Sequence, residues 1–258
     1  MRAMQPERHL FPPVLNFKIN DTLKCRILRH FVFSEENHMK YKTVIFDMDG
    51  TVLNTLDDLA ASTNFALENN FLPSRTTDEV RSFVGNGIRK LIERAVPQGT
   101  ETEKINSVFA DFKSHYADHC AEKTAPYDGI CDLISALKKN GVKTAVVSNK
   151  ADFAVQSLCK TYFDGVFDYA VGEKEGVRTK PCPDSVLETV RALDSDMGAT
   201  VYVGDSEVDI QTAKNACIPC VSVDWGFKDK SFLTEHGAAV IAEDTDELLC
   251  ILSKMLAF

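Results

Sequence analysis

The sequence predicts an α/β fold in which a parallel sheet, covered by helices on both faces, is interrupted early by an all-helical insertion. Three observations predict it. From Pro126 onward, short apolar runs alternate with amphipathic ones, the rhythm of a parallel sheet whose strands are buried on both faces. Between residues 56 and 122, helical periodicity recurs without a convincing strand. Ahead of that block, the apolar run Val44-Ile45-Phe46 ends in the charged segment Asp47-Met48-Asp49-Gly50-Thr51.

The elements follow in order. The first strand is the run into Phe46. A helix over 56–70 places Leu56, Leu59, Ala60, Thr63 and Leu67 near the 3.6-residue period, and Pro73-Ser74 breaks it. A short helix over 78–84 leads to a Gly85-Asn86-Gly87 loop and a helix over 88–96, broken by Pro97-Gln98-Gly99. The helix over 101–120 carries Ile105, Val108, Phe109, Phe112 and Tyr116 on its apolar face. Next come a helix over 130–140, stopped by Gly141, and a strand over 142–147 that ends at Ser148-Asn149-Lys150. A helix over 153–161, a strand over 166–170 and a helix over 183–193 follow, with Pro183 suited to a first turn. The strand over 199–203 ends at Gly204-Asp205 and precedes a helix over 207–215. The chain closes with strands over 219–223 and 238–241 and helices over 230–235 and 245–256. This is a Rossmann-like parallel sheet core over 39–55 and 123–258, with an inserted all-helical cap domain over 56–122.

Residues 1–38 do not share this pattern. They hold six Lys/Arg against four Asp/Glu, whereas the chain from Met39 holds 23 against 34. They are read as an N-terminal extension, disordered or upstream of a natural start at Met39. The net charge of -9 argues against a nucleic-acid or anionic-membrane partner. No apolar run approaches the length of a membrane span. Eight scattered cysteines without a secretory leader suit a reducing, cytoplasmic location.

The chemistry gathers at strand ends. Side chains two apart on a strand point the same way, so Asp47 and Asp49 leave the first strand close together. Close carboxylates near a core repel, and a hard, oxygen-preferring cation such as Mg2+ is the economical way to keep both ionised. Asp47 is placed to attack phosphorus as a carboxylate nucleophile, and Asp49 to act as general acid and then base. The rival reading is a strand followed by an Asp-Gly turn. Two further strand ends supply Ser148 and Asp205, followed by Asp209, while Lys180 lies in a loop before a helix. Phosphoryl transfer needs a nucleophile, a proton donor, cations and neutral hydrogen-bond donors, and these residues supply each. Asp205 would share Mg2+ with Asp47, with the Asp49 carbonyl as a further ligand. Ser148 would donate to a phosphate oxygen, Lys180 would neutralise phosphate and Asp47, and Asp209 would hold a metal-bound water or Lys180. Singly, each has an ordinary reading as a helix cap, a surface lysine or a solvated carboxylate.

Together, Asp47-Met48-Asp49-Gly50-Thr51, Ser148, Lys180 and Gly204-Asp205 through Asp209 resemble the four motifs of the haloacid dehalogenase superfamily of aspartyl-phosphate phosphatases. The helical insertion resembles that superfamily's type-1 cap. Within it the chain is most similar to bacterial phosphoglycolate phosphatases, through the stretch from Val84 to Ala95, Val147-Ser148-Asn149-Lys150 and Asp224-Trp225-Gly226-Phe227. The resemblance implies hydrolysis of a small phosphorylated metabolite by a monomer or homodimer. Ser148, Asn149 and Lys180 would bind phosphate, Asp47, Asp49 and Asp205 would bind the metal, and Thr51, Gly204 and Asp209 would support them. An aspartate at position 49 implies protonation of an alcohol leaving group rather than dehalogenation. A pyrophosphatase, nucleotidase or sugar-phosphate phosphatase is the alternative; a phosphomutase or a non-catalytic binding protein ranks lower.

Substrate choice is expected from the cap. The N–H groups of Gly85, Asn86 and Gly87 precede a helix and suit an anion, with Arg89 as a partner in the same turn. The chain crossings near residues 55–56 and 121–126 are expected hinges. Cys217-Ile218-Pro219-Cys220 is read as packing rather than a redox pair, His115 and His119 as a solvated helix face, and Trp225 as packing near the site.

Overall fold

The computed structural model describes residues 41–256, which belong to one compact unit. The extension expected over 1–38 and the start expected at Met39 lie outside the described residues.

Six parallel strands form the sheet. Strand β1 (Thr43–Phe46) is central and wholly buried. After it come β4 (Lys143–Ala151), β5 (Tyr169–Glu173), β6 (Thr200–Gly204), β7 (Cys220–Val223) and β8 (Ile241–Ala242). The spatial order is β5-β4-β1-β6-β7-β8. Chain order therefore reverses direction beside β1, and ligands in such sheets bind outside the carboxyl ends at that point. Period-two alternation divides the core into two layers. Val44 and Phe46 face one side, with Ile134 and Leu137 of α5 (Ile130–Lys139) and Leu252 of α10 (Thr245–Leu256). Ile45 faces the other, with Val186 and Val190 of α7 (Asp184–Ala192) and Ala213 of α8 (Glu207–Ala216). Being buried on both faces is what makes these strands continuous apolar runs. Helices α6 (Asp152–Phe163) and α9 (Lys230–Glu235) complete this part of the fold.

Four helices follow β1: α1 (Leu56–Asn69), α2 (Thr77–Phe83), α3 (Gly87–Ala95) and α4 (Thr102–His119). The start of α2 is fixed by a reciprocal capping box between Thr76 and Glu79. Buried Val108, Phe112 and Tyr116 of α4 share a core with Leu59 and Leu67 of α1.

Several boundaries differ from expectation. The strand expected over 166–170 is β5, three residues later. Val166 instead closes the turn after α6, its N–H donating to the Phe163 carbonyl, and Phe167 packs edge-on against Phe163. Pairing with β4 begins only where the Asp168 N–H donates to the Thr144 carbonyl. The strand expected to end at Val147 runs on through Ser148, Asn149 and Lys150 to Ala151, with an irregular register after Val147. The last strand is displaced from 238–241 to Ile241–Ala242. A short antiparallel pair, β2 (Leu53–Asn54) with β3 (Ala125–Pro126), was not anticipated. It joins the two chain crossings. Asp58 reinforces it by accepting from the N–H groups of Lys123 and Thr124 and from the Thr124 hydroxyl.

Candidate active site

The carboxyl ends of β1, β4 and β6 deliver their polar side chains to one cavity, lined among others by Asp47, Asp49, Ser148, Lys180 and Asp205. The Asp47 N–H still belongs to the sheet, donating to the Val203 carbonyl, while its carboxylate turns back to accept from the Met48 N–H at 2.7 Å. Gly50 then adopts φ +82°, and a Cβ there would collide with the Asp205 carboxylate. Only glycine permits that turn at that distance. Gly204 likewise has no room for a side chain because Asp209 packs against it.

Lys180 is the cation of this floor. Its side chain is 3% exposed and its Nζ lies 2.8 Å from both Asp47 Oδ1 and Asp209 Oδ1. Burial alone would push its pKa down, but Asp209 and Asp47 outweigh that and hold it well above the ordinary lysine range. Asp209 has both oxygens engaged: Oδ1 accepts from Lys180 and the Tyr202 hydroxyl, Oδ2 from the N–H and hydroxyl of Ser206. Of the two roles expected for Asp209, the structure gives it the hold on Lys180.

Asp205 accepts from the Phe227 N–H at 2.7 Å and more weakly from the Thr51 hydroxyl at 3.4 Å. Burial, then Asp209 and Asp47, push its pKa well above the carboxylate range. Burial is also the main cause that lifts Asp47 to about 7, with Lys180 opposing it. Carboxyl oxygens of Asp47, Asp205 and Asp209 lie within 4.8 Å of one another. Three carboxylates against the one Lys180 ammonium leave two negative charges, which suits a divalent cation. Because Asp209 is fully engaged, Asp47 and Asp205 are the carboxylates able to serve as ligands. The Asp49 carboxylate is not in this cluster; it accepts from the Thr55 hydroxyl at 2.7 Å.

Two expected residues have their side chains engaged elsewhere. Asn149 lines the cavity, but its side-chain amide pairs with the Lys180 backbone: Oδ1 accepts from the Lys180 N–H and Nδ2 donates to the Lys180 carbonyl. It positions the lysine. Arg89 does not line the cavity; its guanidinium bonds Glu93 at 2.9 Å and Asn106 at 2.7 Å. The Gly85-Asn86-Gly87 loop is divided. Gly85 and Gly87 line the cavity, whereas the Asn86 side chain accepts from Arg94. Ser148 lines it too, accepting from the Lys150 N–H and keeping its proton to donate.

Lys150 was not among the expected site residues. Its Nζ lies 2.8 and 3.1 Å from the two Asp49 oxygens. Period-two alternation past Ser148 could have found it, had the strand been read as continuing. Trp225 packs as expected, its indole N–H donating to the Thr51 carbonyl.

Known proteins resemble this chain in sequence and fold. The sequence profile described as "Haloacid dehalogenase-like hydrolase" matches residues 44–223. A protein named phosphoglycolate phosphatase from Mesorhizobium japonicum is 33% identical over 210 residues, covering 79% of this chain and 92% of its own. An N-acetylmuramic acid 6-phosphate phosphatase from Pseudomonas aeruginosa is 30% identical, covering 84% of this chain and 97% of its own. A crystal structure from Lactobacillus delbrueckii subsp. bulgaricus, provisionally assigned as a phosphoglycolate phosphatase, superposes with a TM-score of 0.80 at 39% identity. It covers 85% of this chain and 100% of its own. With profile, relatives and buried strand-end carboxylates in agreement, the chain belongs to the haloacid dehalogenase-like hydrolase family and is a phosphatase of phosphate esters.

Proposed function

We propose that this phosphatase is a Mg2+-dependent phosphoglycolate phosphatase that converts 2-phosphoglycolate and water to glycolate and phosphate. The observation that carries the substrate is the size of the cavity. Its volume is about 50 Å³, where a single water needs roughly 10–15 Å³. That suits a phosphate ester of a very small alcohol better than a nucleotide or a sugar. Relatives named phosphoglycolate phosphatase support the same reading.

Asp47 attacks phosphorus and becomes the aspartyl-phosphate. Asp49 turns from Thr55 to give its proton to the leaving alkoxide, then accepts one from the water that cleaves the aspartyl-phosphate. Ser148 donates to a phosphoryl oxygen, while Lys180, held by Asn149 and Asp209, offsets charge on Asp47 and the phosphoryl group. Asp47 and Asp205, with the Asp49 carbonyl, would hold Mg2+, which when bound would supply positive charge against the phosphoryl oxygens. The helices over 56–122 act as a cap over the core segments 39–55 and 123–258, opening at the crossings that β2 and β3 pair. The enzyme works on a small metabolite in the cytoplasm. Free cysteines among the described residues support a reducing compartment, and no described helix is long and apolar enough to cross a membrane.

The second reading is a sugar-phosphate phosphatase, favoured by the relative that acts on N-acetylmuramic acid 6-phosphate. Such an ester would need the cap wall displaced. Phosphate release from 2-phosphoglycolate, pyrophosphate, nucleoside monophosphates and sugar phosphates, with Mg2+ or with EDTA, separates the two. We expect Mg2+-dependent release that is strongest with 2-phosphoglycolate. Preference for a sugar phosphate would keep the chemistry and overturn the substrate.

A further inference from the structure

Lys150 is a buried cation that the phosphoryl-transfer chemistry does not use. Its side chain is 2% exposed and its Nζ bonds both oxygens of Asp49. The ammonium sits 4.7 Å from the centre of the Tyr116 ring, on α4. A buried ammonium is costly unless a carboxylate faces it, and Lys150 lines the cavity from within. What it can pair with is therefore Asp49 or a ligand.

Of the other cations near the cavity, two are paired and one is solvated. Lys180 is shared between Asp47 and Asp209. Arg89 is held by Glu93 and Asn106. Lys228 lines the cavity too, but its Nζ donates to the neutral Ser82 carbonyl at 3.3 Å on the exposed side, which makes it a solvated cation rather than a buried one. The cap side is apolar, with Leu59, Val84, Ile88 and Leu91, and offers no rival side-chain anchor for an anion. A proton donor must also face the leaving oxygen, so a group bonded to Asp49 stands beside the leaving group. In 2-phosphoglycolate one carbon separates the ester oxygen from the carboxylate. A carboxylate one carbon away from the ester oxygen is within reach of a group bonded to Asp49, as Lys150 is.

We propose that Lys150 selects the substrate by taking its carboxylate in exchange for that of Asp49. The exchange swaps one carboxylate partner for another, so the buried ammonium is never left unpaired. It also frees Asp49 to turn from Thr55 to the ester oxygen, bringing a proton taken from water as it leaves the ammonium. Binding of the correct anion and release of the proton donor thereby become one event. The proposal rests on the phosphoglycolate reading above.

The test compares kcat/KM for 2-phosphoglycolate and for 2-hydroxyethyl phosphate, which carries a hydroxymethyl group in place of the carboxylate. Wild type should prefer the acid by about a hundredfold or more, because a site built around a polar group rejects the analogue that lacks it. In Lys150→Met the preference should fall to within about threefold, through loss with the acid, and Lys150→Arg should retain most of it. A Lys150→Met protein that keeps the full preference overturns the role of Lys150 and leaves the phosphoglycolate reading standing. A wild type that does not distinguish the two esters overturns both. Should the methionine variant fail to fold, a crystal structure of wild type with 3-phosphonopropanoate decides. A carboxylate within hydrogen-bond distance of Lys150 Nζ supports the proposal, and one seated elsewhere overturns it.

Discussion

The floor and the helical wall of the cavity are built on opposite plans. On the floor, buried charged groups hold one another: Lys180 with Asp47 and Asp209, and Lys150 with Asp49. The wall meets the same cavity with Leu59, Val84, Ile88, Leu91 and two glycines. Its polar side chains bond among themselves instead, Arg94 to Asn86 and the Phe83 carbonyl, Arg89 to Glu93 and Asn106. Charges in a low-dielectric floor interact strongly and need no reorganisation during the reaction. An apolar wall excludes water and sets the size of what fits. In the proposed function the floor therefore carries the chemistry, and the wall is what would narrow the choice of ester.

Replacing the nucleophile should break the floor's function without breaking its structure. In Asp47→Asn, turnover should fall by at least about a thousandfold, the order expected when a nucleophile is removed. The fold should survive, because Asn keeps the shape, removes one of three crowded carboxylates and leaves Lys180 paired with Asp209. Phosphate release and thermal unfolding of the same preparation check this. Substantial turnover in Asp47→Asn would remove Asp47 from the nucleophile's role.

Much of the floor was legible in the sequence, for a physical reason. A buried strand must be an apolar run, so carboxylates placed at the ends of such runs stand out: Asp47 after Phe46 and Asp205 after Val203. What escaped reading depends on where a strand stops. Val166 and Phe167 are as apolar as a strand, yet they close a helix and pack on Phe163, so β5 began later than expected. The polar run Ser148-Asn149-Lys150 read as a loop although β4 continues through it, which hid Lys150 and the bonds between the Asn149 side chain and the Lys180 backbone. The wall was less legible still. An arginine after a Gly-Asn-Gly loop suggests an anion site, but the sequence does not reveal that Glu93, one turn later, is its partner. The two-residue strands β2 and β3 are too short to leave a pattern at all.

A gentler break of the floor is to withhold the cation. Burial raises Asp47 to about 7 and Asp205 well above the carboxylate range. In metal-free protein the fold therefore holds these protons more tightly than the unfolded chain does. Their contribution to stability is present below the unfolded pKa of about 4 and is lost as pH rises through about 7 for Asp47. A bound divalent cation takes the place of the protons, so stability should then persist at alkaline pH. With EDTA, Tm should be lower at pH 8 than at pH 5, and the Tm gain on adding Mg2+ should be larger at pH 8. An equal gain at both values would mean that these carboxylates are not what the cation relieves.

The smallest effect is expected on the wall, at Arg89. Its ion pair with Glu93 is an exposed i,i+4 contact, 39% exposed on the arginine side, of a kind that contributes only a few tenths of a kcal/mol. Stacking over Phe109 at 5.6 Å adds little more in water. Arg89→Ala should accordingly change KM for 2-phosphoglycolate by less than about twofold, since a residue that does not reach the substrate has no differential binding to lose. Had Arg89 been the partner of the substrate carboxylate, losing a charged hydrogen bond would raise KM by about tenfold or more. Steady-state kinetics of this one variant therefore sharpen the division between floor and wall. A small effect leaves recognition of the anion to the floor, and a large one would move it to the cap and require Arg89 to swing inward when substrate binds.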